Sequence, residues 1–477
     1  QYVDHVSKMF TLLGYDKTAS KAKADAVYRI ESKLAENQIT NVEQRDPIKT
    51  YNRMTPEQIA DMVPHLGWKK YLTNIKHPDV QLVNVGMPNF FKAMDGMLSS
   101  VSLDDWKDYL RWHLINETSS TLSSDFVDED FNFYQRILNG VEQNQPRWKR
   151  IVKSTNRSLG QAVGQLYVKQ AFPPEAKAKM LDMVSKLKTA LREDLSSLEW
   201  MTPETRKNAL AKLDAFGQKI GYPDKWRDYS KLDIDRQSYV WNSLNANQFE
   251  FHRLMDKIGK PVDRTDWGMS PQTVNAYYAP DLNEIVFPAG ILQPPFYDNK
   301  MDDAVNYGGI GAVIGHELTH GFDDQGRQFD AQGNLHDWWT AADAKAFQER
   351  AGCIVNQYGG YTAVDDVKLN GKLTLGENTA DNGGVRVAYM ALMNSLKGKE
   401  PPSIDGFTAE QRFFLGFAQV WCENRSPEIS RMRAQTDPHS PGRYRVNGVV
   451  SNLPEFRKAF SCKEGQPMSP VHSCRVW

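Results

Sequence analysis

Apolar and small residues recur every three to four positions through much of the first half of the chain. Residues 20–37, 104–115, 128–141 and 174–198 each set such a stripe on a charged background, which predicts helices. Pro173-Pro174 opens the last of these, where a first turn has no need of the missing N–H. Thr202-Pro203-Glu204 reads as a cap, a first helical residue and an early acid, and it predicts a helix over 205–216. Strand signals are sparse before residue 235, so residues 1–240 predict a mostly helical domain. The pattern then changes. Thr273-Val-Asn-Ala-Tyr-Tyr and Glu284-Ile-Val-Phe are short β-branched and aromatic runs separated by Pro280-Asp-Leu-Asn, and they predict a hairpin or two neighbouring strands. Pro288, Gly290, Pro294 and Pro295 mark a loop. Gly308-Gly309 leads into an apolar, Pro-free stretch over 311–320 that suits a buried helix, and a second helix is expected from Gly376 toward Leu392. The C-terminal region reads as rich in turns. Residues 241–477 form the second predicted domain, and the fold class is α+β, predominantly α-helical.

A length of 477 residues permits two or three domains with sizeable cores. Lys and Arg number 58 against 59 Asp and Glu, a net charge of −1, so nothing in the charge points to nucleic acid or an anionic membrane. No apolar run approaches the ~20 residues of a membrane span. The first ten residues read as the middle of a helix, and an upstream segment is expected. The four cysteines, Cys353, Cys422, Cys462 and Cys474, cluster toward one end without the C-x₂-C spacing of a structural zinc site. That suggests disulfides and an extracytoplasmic, oxidising setting, with four free thiols as the alternative.

His316-Glu317-Leu318-Thr319-His320 carries the chemistry. Residues i and i+4 of a helix lie on one face, so two imidazoles so placed can grip one Zn²⁺, with Glu317 beside the first as a base for water. A catalytic zinc needs a third protein ligand. The extended H-E-x-x-H-x-x-G-x-x-H pattern fails, because Asp323 and Gly326 do not fit it. Glu377-Asn-Thr-Ala-Asp381 is the best remaining candidate: its two carboxylates lie one turn apart, so one can bind metal while the other holds a ligand His. Taken alone, that pair reads more readily as a solvated acidic face.

The motif, followed by Gly-Phe-Asp-Asp and then by Gly-Glu-Asn-x-Ala-Asp-Asn-Gly-Gly, resembles the neprilysin/endothelin-converting-enzyme family of zinc metallopeptidases. Val274-Asn-Ala-Tyr-Tyr, the run from Ile285 to Phe296, Asn306-Tyr-Gly-Gly-Ile-Gly, Asp337-Trp-Trp and the terminal Cys474-Arg-Val-Trp477 strengthen the likeness, which is dense in the second half and patchy in the first. The resemblance implies a thermolysin-like zinc domain with a helical lid domain. It implies one Zn²⁺ per chain on His316, His320 and Glu377, with Glu317 as general base. Asp381 and Asp323 would orient the ligand imidazoles, and His439 would serve the transition state. Asn275 and Ala276 would hold an extended peptide, and Arg445 a carbonyl beyond the cut. Ile291, Phe296, Val313, Val420 and Trp421 would line the pocket after the scissile bond. Ala312 stands where neprilysin carries a larger apolar residue, which leaves that pocket roomier. Cys353 and Cys474 would pair. Cys422 and Cys462 would pair with each other, stay free, or link to a separate N-terminal fragment, since the resemblance places a further ~200 residues upstream.

These roles imply a zinc endopeptidase that cuts short peptides on the amino side of hydrophobic residues and spares folded proteins. An aminopeptidase is the first alternative, although no Gly-x-Met-Glu-Asn segment for the substrate amine is present. A catalytically dead peptide-binding protein is the second, and the intact Glu317 argues against it.

Overall fold

The computed structural model describes residues 1–477. The chain forms two compact units, one of residues 1–159 with 228–263 and one of 160–227 with 264–477. This differs from the single cut expected near residue 240. Residues 160–227 belong to the second unit because their apolar side chains enter its core: Met180, Leu187, Leu191, Leu213 and Ile220 are buried in one cluster with Ile285, Phe287, Leu318 and Val387. Their helical pattern is legible in the sequence, but the partner that buries it is not.

In the first unit, helices Tyr2–Leu12, Lys17–Ala35 and Leu103–Thr118 meet over Val6, Met9, Phe10, Val27, Trp112 and Ile115. Asp16 starts the second of them by accepting a hydrogen bond from the Ala19 amide, which satisfies one orphan donor of the first turn. The helix expected over 128–141 is instead Ser124–Asp130 continued by a π-helical turn, Phe131–Ile137.

After helical residues 160–171, the second unit carries α1 (Pro174–Ser197) and α2 (Pro203–Asp214), the latter capped by Thr202 as its sequence predicts. Three strands follow: β1 (Gly217–Gly221), β2 (Tyr277–Ala279) and β3 (Glu284–Pro288). Their order is β1-β3-β2, with β1 parallel and β2 antiparallel to β3. The central strand is an unbroken apolar run, Ile285-Val286-Phe287, because all three are fully buried. Strand β1 went unpredicted because Gly-Gln-Lys-Ile-Gly has neither alternation nor β-branched weight. It is held by the ladder to β3 and by Lys219, whose ammonium lies 2.5 Å from Glu284.

Two helices carry the centre of this unit, α3 (Ala312–His320) and α4 (Leu375–Leu396). They cross at Gly315 and Gly384, backbone against backbone. A Cβ on Gly315 would stand 2.3 Å from the Gly384 carbonyl oxygen, and one on Gly384 would stand 2.3 Å from the His316 amide nitrogen. Only glycine permits this approach, and it brings the 316–320 face of one helix onto the 377–381 face of the other.

The C-terminal region is helical rather than turn-rich: α5 (Ala409–Val420), Pro427–Thr436, α6 (Gly442–Val450) and Pro454–Ala459. Its Pro and Ser residues mark helix starts. Pro427 and Pro454 occupy first-turn positions, and Ser426 caps its helix through the Ile429 amide. These helices are short, so the punctuation outweighs their periodicity. A disulfide joins Cys353 to Cys474 with a Cα separation of 5.5 Å, while Cys422 and Cys462 are free thiols. No helix is long and apolar enough to cross a membrane.

Candidate active site

His316 and His320 share one face of α3, with ring centroids 4.4 Å apart and Nε2 atoms 2.9 Å apart. Each ring is held from behind. His316 Nδ1 lies 2.8 Å from Asp381 Oδ1, and His320 Nδ1 lies 2.7 Å from Asp323 Oδ2. A carboxylate only accepts, so each Nδ1 carries a proton and each Nε2 is turned inward, where a neutral ring offers its lone pair. Glu377, in the first turn of α4, brings Oε2 to 3.2 Å from His316 Nε2 and 3.6 Å from His320 Nε2. His439 Nε2 approaches the same oxygen at 3.3 Å. That oxygen is buried and makes no hydrogen bond.

Converging lone pairs beside an unsatisfied carboxylate oxygen are a poor protein core and a good cation site. The titration tendencies show the same preference for positive charge between these groups. Burial pushes the Glu377 carboxyl up, yet the His320 and His316 rings pull it well below its usual range. Burial opposes charge on His320, yet the Glu377 and Asp323 carboxylates carry it well above the usual imidazole value. Two imidazoles and one carboxylate also form the donor set of tetrahedral catalytic zinc, which leaves one position for water or substrate. The residues therefore fit Zn²⁺. Donor atoms of His316, Glu317 and His320 also lie within 4.8 Å of one another. Proximity alone would thus admit Glu317 as a ligand, but Glu377 holds the oxygen that faces both Nε2 atoms.

Glu317 is 5% exposed and faces the same cleft. Burial pushes its carboxyl up, with the two imidazoles opposing. Asp381 is clamped from its other side by Arg445, whose Nε and Nη2 donate to Oδ2 at 2.7 Å and Oδ1 at 2.6 Å. Burial pushes Asp381 up, but Arg445 and His316 bring it below its ordinary value. The Arg445 guanidinium lies 3.9 Å from the centre of the Trp421 ring, a cation–π contact that fixes its plane. A continuous line therefore runs from Trp421 through Arg445 and Asp381 to His316.

The loop after the Pro427–Thr436 helix places His439. Its backbone amide donates to Asp437 Oδ1 at 2.8 Å, and its Nδ1 lies 2.8 Å from the same oxygen. Sequence reasoning missed the fastener of this loop. Ser440 Oγ donates to Asn378 Oδ1 at 2.8 Å, with both residues fully buried, and so ties the residue after His439 to the residue after Glu377. The signal was present as Thr374, Asn378 and Asn382, three uncharged polar residues spaced four apart, and Asn378 bonds to both of the others.

A cleft of about 500 Å³ opens onto these groups. Ile291, Phe296, Val313 and Trp421 line it, together with Ala312, and Asn275, Ala276 and Arg445 reach it as well. Val420 does not. The wall is built instead by Phe417 and Trp421, four residues apart at the end of α5, with Val385 of α4 beside them. Asn275 and Ala276 immediately precede β2, an edge strand of the sheet.

Models of peptidase family M13 match residues 1–223 and 275–476. The chain is 38% identical to an endothelin-converting enzyme homolog of Locusta migratoria, covering all of this chain and 68% of that one. It is 39% identical to endothelin-converting enzyme 1 of Homo sapiens, covering all of this chain and 64% of that one. The crystal structure of the Mycobacterium tuberculosis zinc metalloprotease Zmp1 with an inhibitor superposes with a TM-score of 0.95 at 42% identity, covering all of this chain and 74% of that one. The chain thus spans roughly two thirds of the curated relatives it matches. With both family models matched and likeness to these relatives over the whole of this chain, the chain belongs to peptidase family M13.

Proposed function

We propose that this protein is a zinc-dependent endopeptidase that hydrolyses short peptides on the amino side of hydrophobic residues. The observation that carries the reading is the convergence of His316 Nε2, His320 Nε2 and Glu377 Oε2 next to Glu317, at the end of a cleft with an apolar wall. His316, His320 and Glu377 would hold one Zn²⁺ per chain. Bound there, zinc supplies Lewis-acid polarisation of a carbonyl and lowers the pKa of water to ~7.

The chain's own residues account for the rest. Glu317 accepts the proton of the attacking water and returns it to the leaving amine, the part of a general base that then acts as acid. His439, with Nδ1–H on Asp437, can donate from Nε2 only when the ring carries both protons, and Asp437 is placed to balance that charge. It then stabilises the oxyanion as the carbonyl carbon becomes tetrahedral. Arg445 uses Nε and Nη2 on Asp381, which leaves Nη1 for a substrate carbonyl. Asn275 and Ala276 continue the line of edge strand β2, where a peptide can add as an extended strand. Ile291, Phe296, Val313, Phe417, Trp421 and Ala312 receive the side chain that follows the cut. The Cys353–Cys474 disulfide supports an extracytoplasmic location.

Zinc content and hydrolysis should fall together on dialysis against a chelator, and one equivalent of Zn²⁺ per chain should restore both. Undiminished hydrolysis by zinc-stripped protein would refute the reading. The small Ala312 side chain is 4% exposed on the pocket wall. Ala312→Leu is therefore expected to lower kcat/KM for a peptide with Phe after the cut by about 10-fold or more relative to one with Ala there, by one to three methylene equivalents of lost space. Equal effects on the two peptides would place Ala312 outside the pocket.

A further inference from the structure

The loop that follows α3 closes on itself around a buried lysine. Lys212, on α2 and more than a hundred residues away in sequence, is 1% exposed. Its ammonium donates to the carbonyl oxygens of Gly321 at 2.7 Å, Gly326 at 2.6 Å and Phe329 at 2.7 Å. The rings of Phe322, Tyr278 and Trp338 stand 5.7, 5.8 and 6.0 Å from it. Three carbonyls use all three N–H donors and leave no room for a lone pair, so the cage is built for the ammonium form. Burial presses Lys212 down to about 7, with the Asp323 and Asp330 carboxylates pulling it back. Gly321 ends α3, and its carbonyl is one of the orphan acceptors of a helix C-terminus, where a cation is also favoured by the helix dipole.

Between the first two of those carbonyls lies Asp323. Its Oδ1 accepts from the Gln325 and Gly326 amides at 2.9 and 2.7 Å, which leaves Oδ2 for His320 Nδ1. Gly326 lies so close to the helix end that a Cβ there would stand 1.8 Å from the His320 carbonyl oxygen. The loop is thus a tight ring with an acid on one side and three inward carbonyls on the other. Without a cation those carbonyls would be buried and mutually repulsive.

We propose that Lys212 is a positioning residue for the metal centre: its ammonium closes the 321–329 loop and, through Asp323, sets the His320 imidazole. The inference rests on the zinc-site reading above. Partners behind a ligand histidine typically govern metal affinity by ~10–100-fold, and here the support extends one step further back.

The test is zinc affinity by competition with a chromophoric chelator, together with the visible spectrum of the Co²⁺-substituted protein. Both are measured on the whole chain for Lys212→Met, Asp323→Asn and the double variant. Lys212→Met is expected to lower zinc affinity by ~10–100-fold and to shift the Co²⁺ spectrum. The double variant is expected to lose little more than Asp323→Asn alone, because both act through His320. Wild-type affinity and spectrum in Lys212→Met, or losses that multiply in the double variant, would overturn the proposal. Should Lys212→Met fail to fold, Lys212→Arg keeps the charge, but its larger planar guanidinium spreads its N–H groups over three nitrogens and does not match three carbonyls gathered around one. It is expected to bind zinc more weakly, and wild-type affinity there would equally overturn the proposal. If the wild-type chain binds no zinc at all, the zinc-site reading itself fails; if it binds and Lys212→Met binds equally well, only the role of Lys212 fails.

Discussion

Glu317→Gln is expected to lower kcat/KM for peptide hydrolysis by about 10²–10⁴-fold, the range that a positioned general base contributes, with one zinc per chain still bound. The expectation follows from where the carboxylate sits. Glu317 faces the cleft from α3, one residue from His316, while the oxygen that meets both imidazoles of the proposed zinc site belongs to Glu377. Glutamine has the same size and can fill the same buried space, but it cannot take a proton from water. His316, His320 and Glu377 and the carboxylates behind the rings, Asp381 and Asp323, are untouched by the change. Zinc analysis and steady-state kinetics on the same preparation separate the two functions. Loss of zinc along with activity would make Glu317 a ligand, and retention of both would remove it from the chemistry.

Gly384→Ala should be as damaging, by a different route. The added Cβ would stand 2.3 Å from the His316 amide nitrogen and 2.7 Å from its Cα. Both are backbone atoms, so no side chain can swing aside. Helices α3 and α4 must separate, which pulls Asp381 and Glu377 away from His316, now 2.8 and 3.2 Å distant. Overpacking of this kind costs about 1–3 kcal/mol and sometimes more. The variant should show a lowered thermal midpoint together with zinc affinity reduced at least as much as by loss of a supporting carboxylate, ~10–100-fold. Gly352→Ala is the matched control: it lies inside helix Ala341–Gly359 with nothing within 4 Å of an added Cβ, and alanine is the better helix former. It should be neutral or stabilising. A Gly384→Ala protein with wild-type stability and zinc affinity would mean that the helix crossing does not set the site.

Much of the site was legible because helix geometry converts sequence spacing into proximity. His316 and His320 face one way because they are four residues apart, and so do Glu377 and Asp381. The pairing of those two faces was not legible from spacing. It depends on Gly315 and Gly384, which look like ordinary helix-weakening residues until the second helix is seen against them. The resemblance to a family bridged that gap, and it also supplied His439 and Arg445, whose local sequence says only turn and short helix. Val420 shows the limit of position-by-position transfer. At the end of α5 a shift of one residue turns a side chain by about 100°, and Phe417 and Trp421 take the wall instead. Lys212 lay beyond reach altogether. Its helix reads as an ordinary charged amphipathic segment, and only the fold reveals that one of its lysines is turned inward onto three carbonyls. The domain boundary failed for a similar reason, since residues 160–227 carry a helical pattern that does not name the core they join.

The proposed site should cut internal peptide bonds on the amino side of hydrophobic residues. The most direct measurement is mass spectrometry of the products from a peptide acetylated at its N-terminus, amidated at its C-terminus and carrying a single internal Phe among small polar residues. Two fragments are expected, the second beginning with Phe, formed by the zinc-loaded protein and not by the zinc-stripped one. An intact blocked peptide alongside stepwise trimming of the unblocked form, or cleavage unrelated to the position of Phe, would contradict it.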